Sequence, residues 1–189
     1  MNMHSPQHSR QAIGIFGEPA IGKTTLMREL IKGIGETQHG KIGVMDYVWS
    51  QAHRVMVVGS YKGHPYDGTD RLSINIYPQA AELLALANKH MDVRVLIWEG
   101  DKMARRRWLD AVEDAGYSLR LLHLIASKDV TDQRRRKRGS TQNEKWVDGR
   151  RKLCSNLATA EQAHTYCMDT EERRQTLVEV ILGWMKESP

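Results

Sequence analysis

Gly17-Glu18-Pro19-Ala20-Ile21-Gly22-Lys23-Thr24 is the stretch on which the reading of this chain turns. It fits G-x-x-x-x-G-K-[ST], with a strand-like run, Ala12–Phe16, before it and a helix-like run, Thr25–Ile34, after it. That context matters because the motif works through backbone geometry. Gly17 and Gly22 permit sharp turns that aim successive N–H groups inward at phosphate oxygens, and the following helix points its positive end at the same place. Gly17, Glu18, Pro19, Ala20, Ile21, Gly22, Lys23, Thr24 and Thr25 are therefore the expected nucleotide-binding residues. Lys23 is expected to reach the β/γ-phosphates and the Thr24 hydroxyl to ligate Mg²⁺, which makes ATP and Mg²⁺ the expected cofactors. The alternative, a glycine-rich turn between two core elements, leaves the lysine and threonine without a reason.

Apolar periodicity supplies the surroundings. The first 10 residues form a polar arm and residues 11–189 a single domain. Met27, Leu30, Ile31 and Ile34 recur at helical spacing. Lys41–Trp49 and Arg54–Val58 are β-like runs separated by a turn at Ser50–His53, placed to pair as a hairpin at a sheet edge. Pro78 opens a helix that buries Ala80, Leu83, Leu84 and Ala87. Val93–Trp98 is a continuous apolar strand, Asp101–Gly116 a helix, Tyr117–Ala126 and His164–Met168 further strands. A last helix opens with a capping box at Asp169–Glu172 and buries Leu177, Val180, Ile181 and Trp184. Strands alternating with helices predict an α/β three-layer fold: a P-loop kinase type, its mostly parallel sheet carrying an edge β-hairpin and a basic helical lid.

The formal charge of +5 favours a polyanionic partner. Cys154 and Cys167 lack metal-ligand spacing and read as reduced thiols. With no long apolar run and no apolar leader, the expected location is the cytoplasm. The lid is expected at about residues 128–152. Gln133–Arg138 holds five basic residues in six positions, and a second basic patch follows at Arg150–Lys152. Arg134, Arg138 and Arg150 are its candidate phosphate contacts. In the helix-like stretch after Asn143, the residues Trp146, Leu153, Leu157 and Ala160 share a stripe that includes Arg150, and an inward arginine needs an anionic partner.

Phosphoryl transfer also asks for carboxylates. Glu99 ends the strand Val93–Trp98, where open α/β sheets place ligands, and is the candidate Mg²⁺-holding acid. Asp101 reads as the cap of the next helix. In the glycine-rich loop Gly59–Arg71, Asp70 is a candidate general base and Arg71 a phosphate clamp; Asp67 and Asp46 are alternative bases, although Asp67-Gly68 also suits a turn and Asp46 an exposed edge. Trp49, Trp146, Tyr61 and Tyr66 lie in polar surroundings and are candidates to stack on a base.

These pieces together are similar to one group. The P-loop, then Gly59-Ser-Tyr-Lys-Gly63, Asp67-Gly-Thr-Asp-Arg-Leu-Ser73, Trp98-Glu-Gly-Asp101 and Trp146-Val-Asp-Gly-Arg150 resemble bacteriophage P-loop kinases of the thymine-hypermodification type, the 5-hydroxymethyluracil DNA kinases. The resemblance covers residues 11–160. It implies phosphorylation by ATP of a hydroxymethyl group on a pyrimidine in DNA, a setting in the cytoplasm of an infected bacterium, and site roles for Asp70, Arg71 and Glu99, which with Lys23 and Arg150 are the expected catalytic residues. In that case the lid and Arg105–Arg107 would hold the DNA backbone. Two other readings stand beside it: a kinase of nucleoside monophosphates or other small molecules, and a non-kinase NTPase.

Overall fold

The computed structural model describes residues 10–63, 67–69 and 77–187. In chain order its elements are β1 (Arg10–Gly17), α1 (Lys23–Ile34), β2 (Gln38–Ile42), β3 (Met45–Ser50), β4 (Val55–Val58) and α2 (Tyr77–Lys89). They continue with β5 (Val95–Glu99), α3 (Arg106–Asp114), β6 (Tyr117–Ile125), α4 (Lys128–Lys137), α5 (Glu144–Ala160), β7 (His164–Cys167) and α6 (Glu171–Glu187).

Side chains alternate across a strand, so β1 feeds two cores at once. Ala12 and Phe16 enter one, packed with residues of α2, α3 and α5; Ile13 and Ile15 enter the other, with residues of α1 and α6. This is the three-layer arrangement that the alternation of strands and helices predicts. Among the described residues the sheet has the order β2-β3-β4-β5-β1-β6-β7. Neighbours from β4 to β7 run parallel, and β3 and β2 extend the sheet antiparallel. Central strands are buried on both faces, hence the unbroken apolar runs of β4 and β5.

The hairpin differs from its expectation. Lys41–Trp49 is not one strand: β2 and β3 fold on each other through Gly43-Val44, with Ile42 opposite Met45. Gly43 takes φ +54° at the first central position, which a two-residue hairpin turn of this hand requires. The expected pairing of Met45–Ser50 with Val55–Val58 is also present, so the sheet gains a further edge strand.

Two caps are corrected as well. The third helix starts at Arg106, not Asp101, and its first turn follows Arg105 without a side-chain cap. In α6, Thr170 Oγ1 accepts from the amide of Arg173 at 3.2 Å. Asp169 instead accepts from the Ser127 amide (2.7 Å) and Cys167 Sγ (3.1 Å). Leu177, Ile181 and Met185 form the buried face of α6, while Trp184 is half-buried with the Arg120 guanidinium 4.1 Å from its ring centroid.

Trp98 of β5 and Trp108 of α3 meet edge to face at 5.5 Å. The indole of Trp98 lies across Gly14 in β1, where a Cβ would stand 2.7 Å from the ring and 2.7 Å from Leu121. Gly14→Ala is thus expected to overpack the core and destabilise the protein by about 1–3 kcal/mol, read as a lowered midpoint in urea denaturation.

Candidate active site

The loop after β1 lies at the carboxyl end of the central strand, between the ends of β5 and β6. Open α/β sheets bind ligands there, where the strand order reverses. Ile21 is fully buried in the α1/α6 core and anchors the loop from below. Gly22 caps α1 with φ +109° and offers no side-chain hydrogen bond, and the first turn of α1 has no acidic residue. The amides there remain available to an anion. Lys23 Nζ donates to the carbonyl oxygens of Gly17 (2.8 Å) and Glu18 (3.0 Å), which holds its charge over the loop.

Glu99 ends β5 as expected, opposite Ile15 of β1, and is 3% exposed. The segment Asp67–Thr69 is packed onto it. Thr69 Oγ1 donates to the Glu99 carbonyl at 2.5 Å, and Ser60 and Gly68 exchange two backbone hydrogen bonds. Gly68 adopts φ +95°, and a Cβ at that position would collide with Glu99 Oε1. Asp67 is fully buried and closes the turn: its carboxylate accepts from the amides of Lys62 (3.3 Å) and Gly63 (2.8 Å) and pairs with Arg28 at 2.8 Å. The turn reading of Asp67 fits this geometry. Asp46 is held by Lys62 at 3.6 Å in β3, an inner strand of the sheet and not an exposed edge. Asp70 and Arg71 lie outside the described residues, as do Tyr66 and the rest of residues 64–66 and 70–76.

The lid side is organised by α5. Asn143 caps it, Oδ1 accepting from the Trp146 amide at 2.8 Å. Its fully buried residues are Val147 and Cys154; of the expected stripe Leu157 packs half-buried on the core, whereas Trp146 is 41% and Leu153 45% exposed. Arg150 does turn inward, but so does Arg151. Arg150 binds the carboxylate of Asp101, and Arg151 binds Glu18 of the P-loop at 2.7 Å. Two consecutive arginines thus neutralise acids on both flanks of the phosphate-binding loop. Asp101 is therefore an ion-pair partner rather than a helix cap. The ion pairs of Glu18 with Arg151 and of Asp101 with Arg150 escaped the sequence reading; the signal for Arg151 was its adjacency to an inward arginine on one turn of helix.

Two cavities flank the loop. One of about 380 Å³ is lined by Ala20–Gly22, Thr25, Arg134, Lys137, Arg138, Met168 and Arg174. It brings the expected lid residues Arg134 and Arg138 beside the P-loop. Arg134 donates to the carbonyls of Ile21 (3.0 Å) and Met168 (2.8 Å), tying α4 to the loop and to the end of β7. The other, about 240 Å³, joins Lys23, Asp101, Lys102, Gln142, Trp146, Arg150 and Cys154. Burial pushes the Cys154 thiol up to about 11, so it is a neutral wall of that cavity and no thiolate nucleophile at neutral pH. Neither cysteine is in a disulfide.

Other expected contacts are committed elsewhere. Trp49 is a core residue of β3, 7% exposed, and Tyr61 packs against the α1/α6 core. Arg106 is engaged by Asp110, Glu113 and Glu161, acids that raise its already high pKa, and Arg107 stacks on Tyr77 at 4.5 Å. Of the Arg105–Arg107 run, these two are therefore taken up by the packing of α2, α3 and α5. Among the described residues no helix is long and apolar enough to cross a membrane.

The chain belongs to the P-loop Nucleotide Kinase3 family, whose model matches residues 8–184. No curated protein matches it in sequence. In structure it is similar to a sugar kinase from Janibacter sp. HTCC2649, with a TM-score of 0.52, 16% identity, and coverage of 94% of this chain and 95% of that one. A shikimate kinase from Bacteroides thetaiotaomicron follows at a TM-score of 0.45, 12% identity, and coverage of 94% and 99%. A gluconokinase from Sinorhizobium meliloti 1021 stands at 0.44, 11% identity, and coverage of 93% and 97%. The fold is that of the P-loop kinases, and the expected class, an ATP-dependent phosphotransferase, stands.

Glu18 is buried while Arg151 is one-third exposed, so removing the arginine strands a carboxylate inside the loop. Arg151→Met is expected to cost about 1–3 kcal/mol, discounted from a fully buried pair for that exposure. A double-mutant cycle with Glu18→Gln, followed by urea denaturation, should recover much of the loss in the double variant.

Proposed function

We propose that this P-loop kinase transfers the γ-phosphate of ATP to the hydroxymethyl group of a pyrimidine, 5-hydroxymethyluracil, in DNA. The observation that supports transfer most directly is the meeting of Lys23 and Arg150 in one cavity beside the phosphate-binding loop. Phosphoryl transfer needs little covalent work from a protein and much positioning and charge neutralisation; Lys23 supplies charge, and Arg150, oriented by its pairing with Asp101, is positioned beside it. The acceptor oxygen attacks the γ-phosphorus, the bond to the β,γ-bridging oxygen breaks, and ADP leaves with that electron pair. The hydroxyl proton passes to a carboxylate, the role we assign to Asp70, with Arg71 clamping the moving phosphoryl group. Arg134 and Arg138, beside Thr25, are the donor-side contacts for the nucleotide.

Mg²⁺ fits the donor set. The Thr24 hydroxyl in the first turn of α1 and the buried Glu99 carboxylate at the end of β5 are hard oxygen ligands of the kind that hold it alongside substrate phosphates. An ion held by these two residues would supply positive charge against the phosphates of the nucleotide. The DNA reading is supported by the resemblance of the loop motifs, by the net charge of +5 and by the exposed cations Arg136, Lys137 and Arg138 at the end of α4. A basic surface of this kind attracts a polyanion from a distance.

The deciding experiment supplies γ-labelled ATP with DNA containing 5-hydroxymethyluracil, with ordinary DNA, and with free nucleotides. Label is expected on the modified DNA alone; label on free nucleotides and indifference to DNA would replace the acceptor with a small molecule. Affinity for the DNA should fall roughly threefold per phosphate contact between about 50 and 200 mM salt, because bound counterions are released. Lys23→Ala should lower turnover by about a hundredfold or more while the thermal midpoint stays near wild type, since the lysine balances phosphate charge and packs no core.

A further inference from the structure

We infer that Trp146 is the platform on which the acceptor's base stacks, and so a specificity-determining residue of the acceptor site. The inference rests on the base-bearing acceptor proposed above. A tryptophan that stays 41% exposed is unusual in a chain whose Trp98 and Trp108 are fully buried and whose Trp49 is 7% exposed. Its place is not arbitrary. It lines the cavity that also contains Lys23, whose ammonium sits over the phosphate-binding loop. The backbone and the ring are each held. The Asn143 side chain accepts from the Trp146 backbone amide in the first turn of α5, and the Arg150 guanidinium lies 5.2 Å from the ring centroid. Arg150 is held in turn by Asp101, so the aromatic surface is tied to the end of β5 rather than to a loose lid.

A preorganised indole loses little conformational entropy when a planar ring lies on it, and stacking tolerates any base. Discrimination then falls to polar neighbours. Gln142 lines the same cavity, and its amide can both donate to and accept from the edge of a pyrimidine. An acyclic polyol has no flat face to lay on the indole. The arrangement therefore favours an acceptor that carries its hydroxyl on an aromatic ring.

The test compares wild type, Trp146→Ala, Trp146→Phe and the control Leu153→Ala, a substitution at an exposed residue of the same helix. The acceptor is a single-stranded oligodeoxynucleotide with one 5-hydroxymethyluracil. Steady-state transfer gives KM for the oligonucleotide and for ATP, and quenching of tryptophan emission reports binding without turnover. Trp146→Ala is expected to raise the oligonucleotide KM about 5- to 150-fold, the loss of one stacked base, and to abolish the quench, with the ATP KM unchanged. Trp146→Phe should recover most of the affinity, and Leu153→Ala should behave as wild type. An unmoved oligonucleotide KM in Trp146→Ala overturns the inference, and so does a rise in the ATP KM alone, which would put the ring on the donor nucleotide. If wild type phosphorylates a polyol and ignores the oligonucleotide, the base-bearing acceptor and this inference fall together.

Discussion

An acid inside an anion-binding loop has to be neutralised, and much of the arrangement around the site follows from that constraint. Glu18 is almost fully buried within the P-loop, where a carboxylate repels the phosphates the loop is shaped to hold. Arg151 removes that repulsion from the side of α5, and its neighbour Arg150 does the same for Asp101. Since α5 packs on β1 and β6, the Arg151–Glu18 pair binds the phosphate-binding loop, and the Arg150–Asp101 pair the end of β5, to the part of the molecule that follows β6. A buried pair of this kind adds little net stability over an apolar contact, because both charges leave water. Its value lies in register: the pair is satisfied in one placement of α5 relative to the loop, and that placement also sets Trp146 and Cys154 in the wall of the smaller cavity.

The parallel sheet supplies the rigidity that this arrangement needs. The carboxyl ends of β1 and β5 are neighbours, with Glu99 opposite Ile15, so Glu99 and the start of the phosphate-binding loop are delivered to the same end of the sheet by hydrogen-bonded backbone rather than by loops. Asp67–Thr69, packed on Glu99, is fixed by the pairing of the buried Asp67 with the partly exposed Arg28. A kinase places its catalytic groups within fractions of an ångström, and groups on strand ends are held better than groups on free loops.

Much of this was legible in the amino-acid order, and the gaps have physical causes. The P-loop, the first strand and helix, and the three-layer class could be read because apolar periodicity and glycine placement are local signals. The hairpin of β2 and β3 was hidden because one glycine, Gly43, suffices to reverse the chain inside an otherwise β-like run. Along α5, two stripes compete: Trp146, Leu153 and Leu157 look like core by composition, yet of these only Leu157 packs on the core, beside Cys154 and Ala158, while Val147 is buried one residue further round than the exposed Trp146. Arg150 belongs to both stripes, which is why its inward direction could be read although the stripe was misassigned. Asp101 followed the ordinary preference for acids before a helix, but its charge was claimed by a residue 49 positions later in the chain, a long-range pairing that propensity does not carry.

The unprotected start of α1 has a thermodynamic corollary. Most helices complete their first turn with a serine, threonine or aspartate of their own, whereas here Gly22 leaves that task to whatever anion occupies the loop. A triphosphate lodged there therefore finishes a secondary-structure element as well as serving as a reactant. Its binding energy is then shared with the folded state, which by mass action grows more resistant to melting as the nucleotide concentration rises above its dissociation constant.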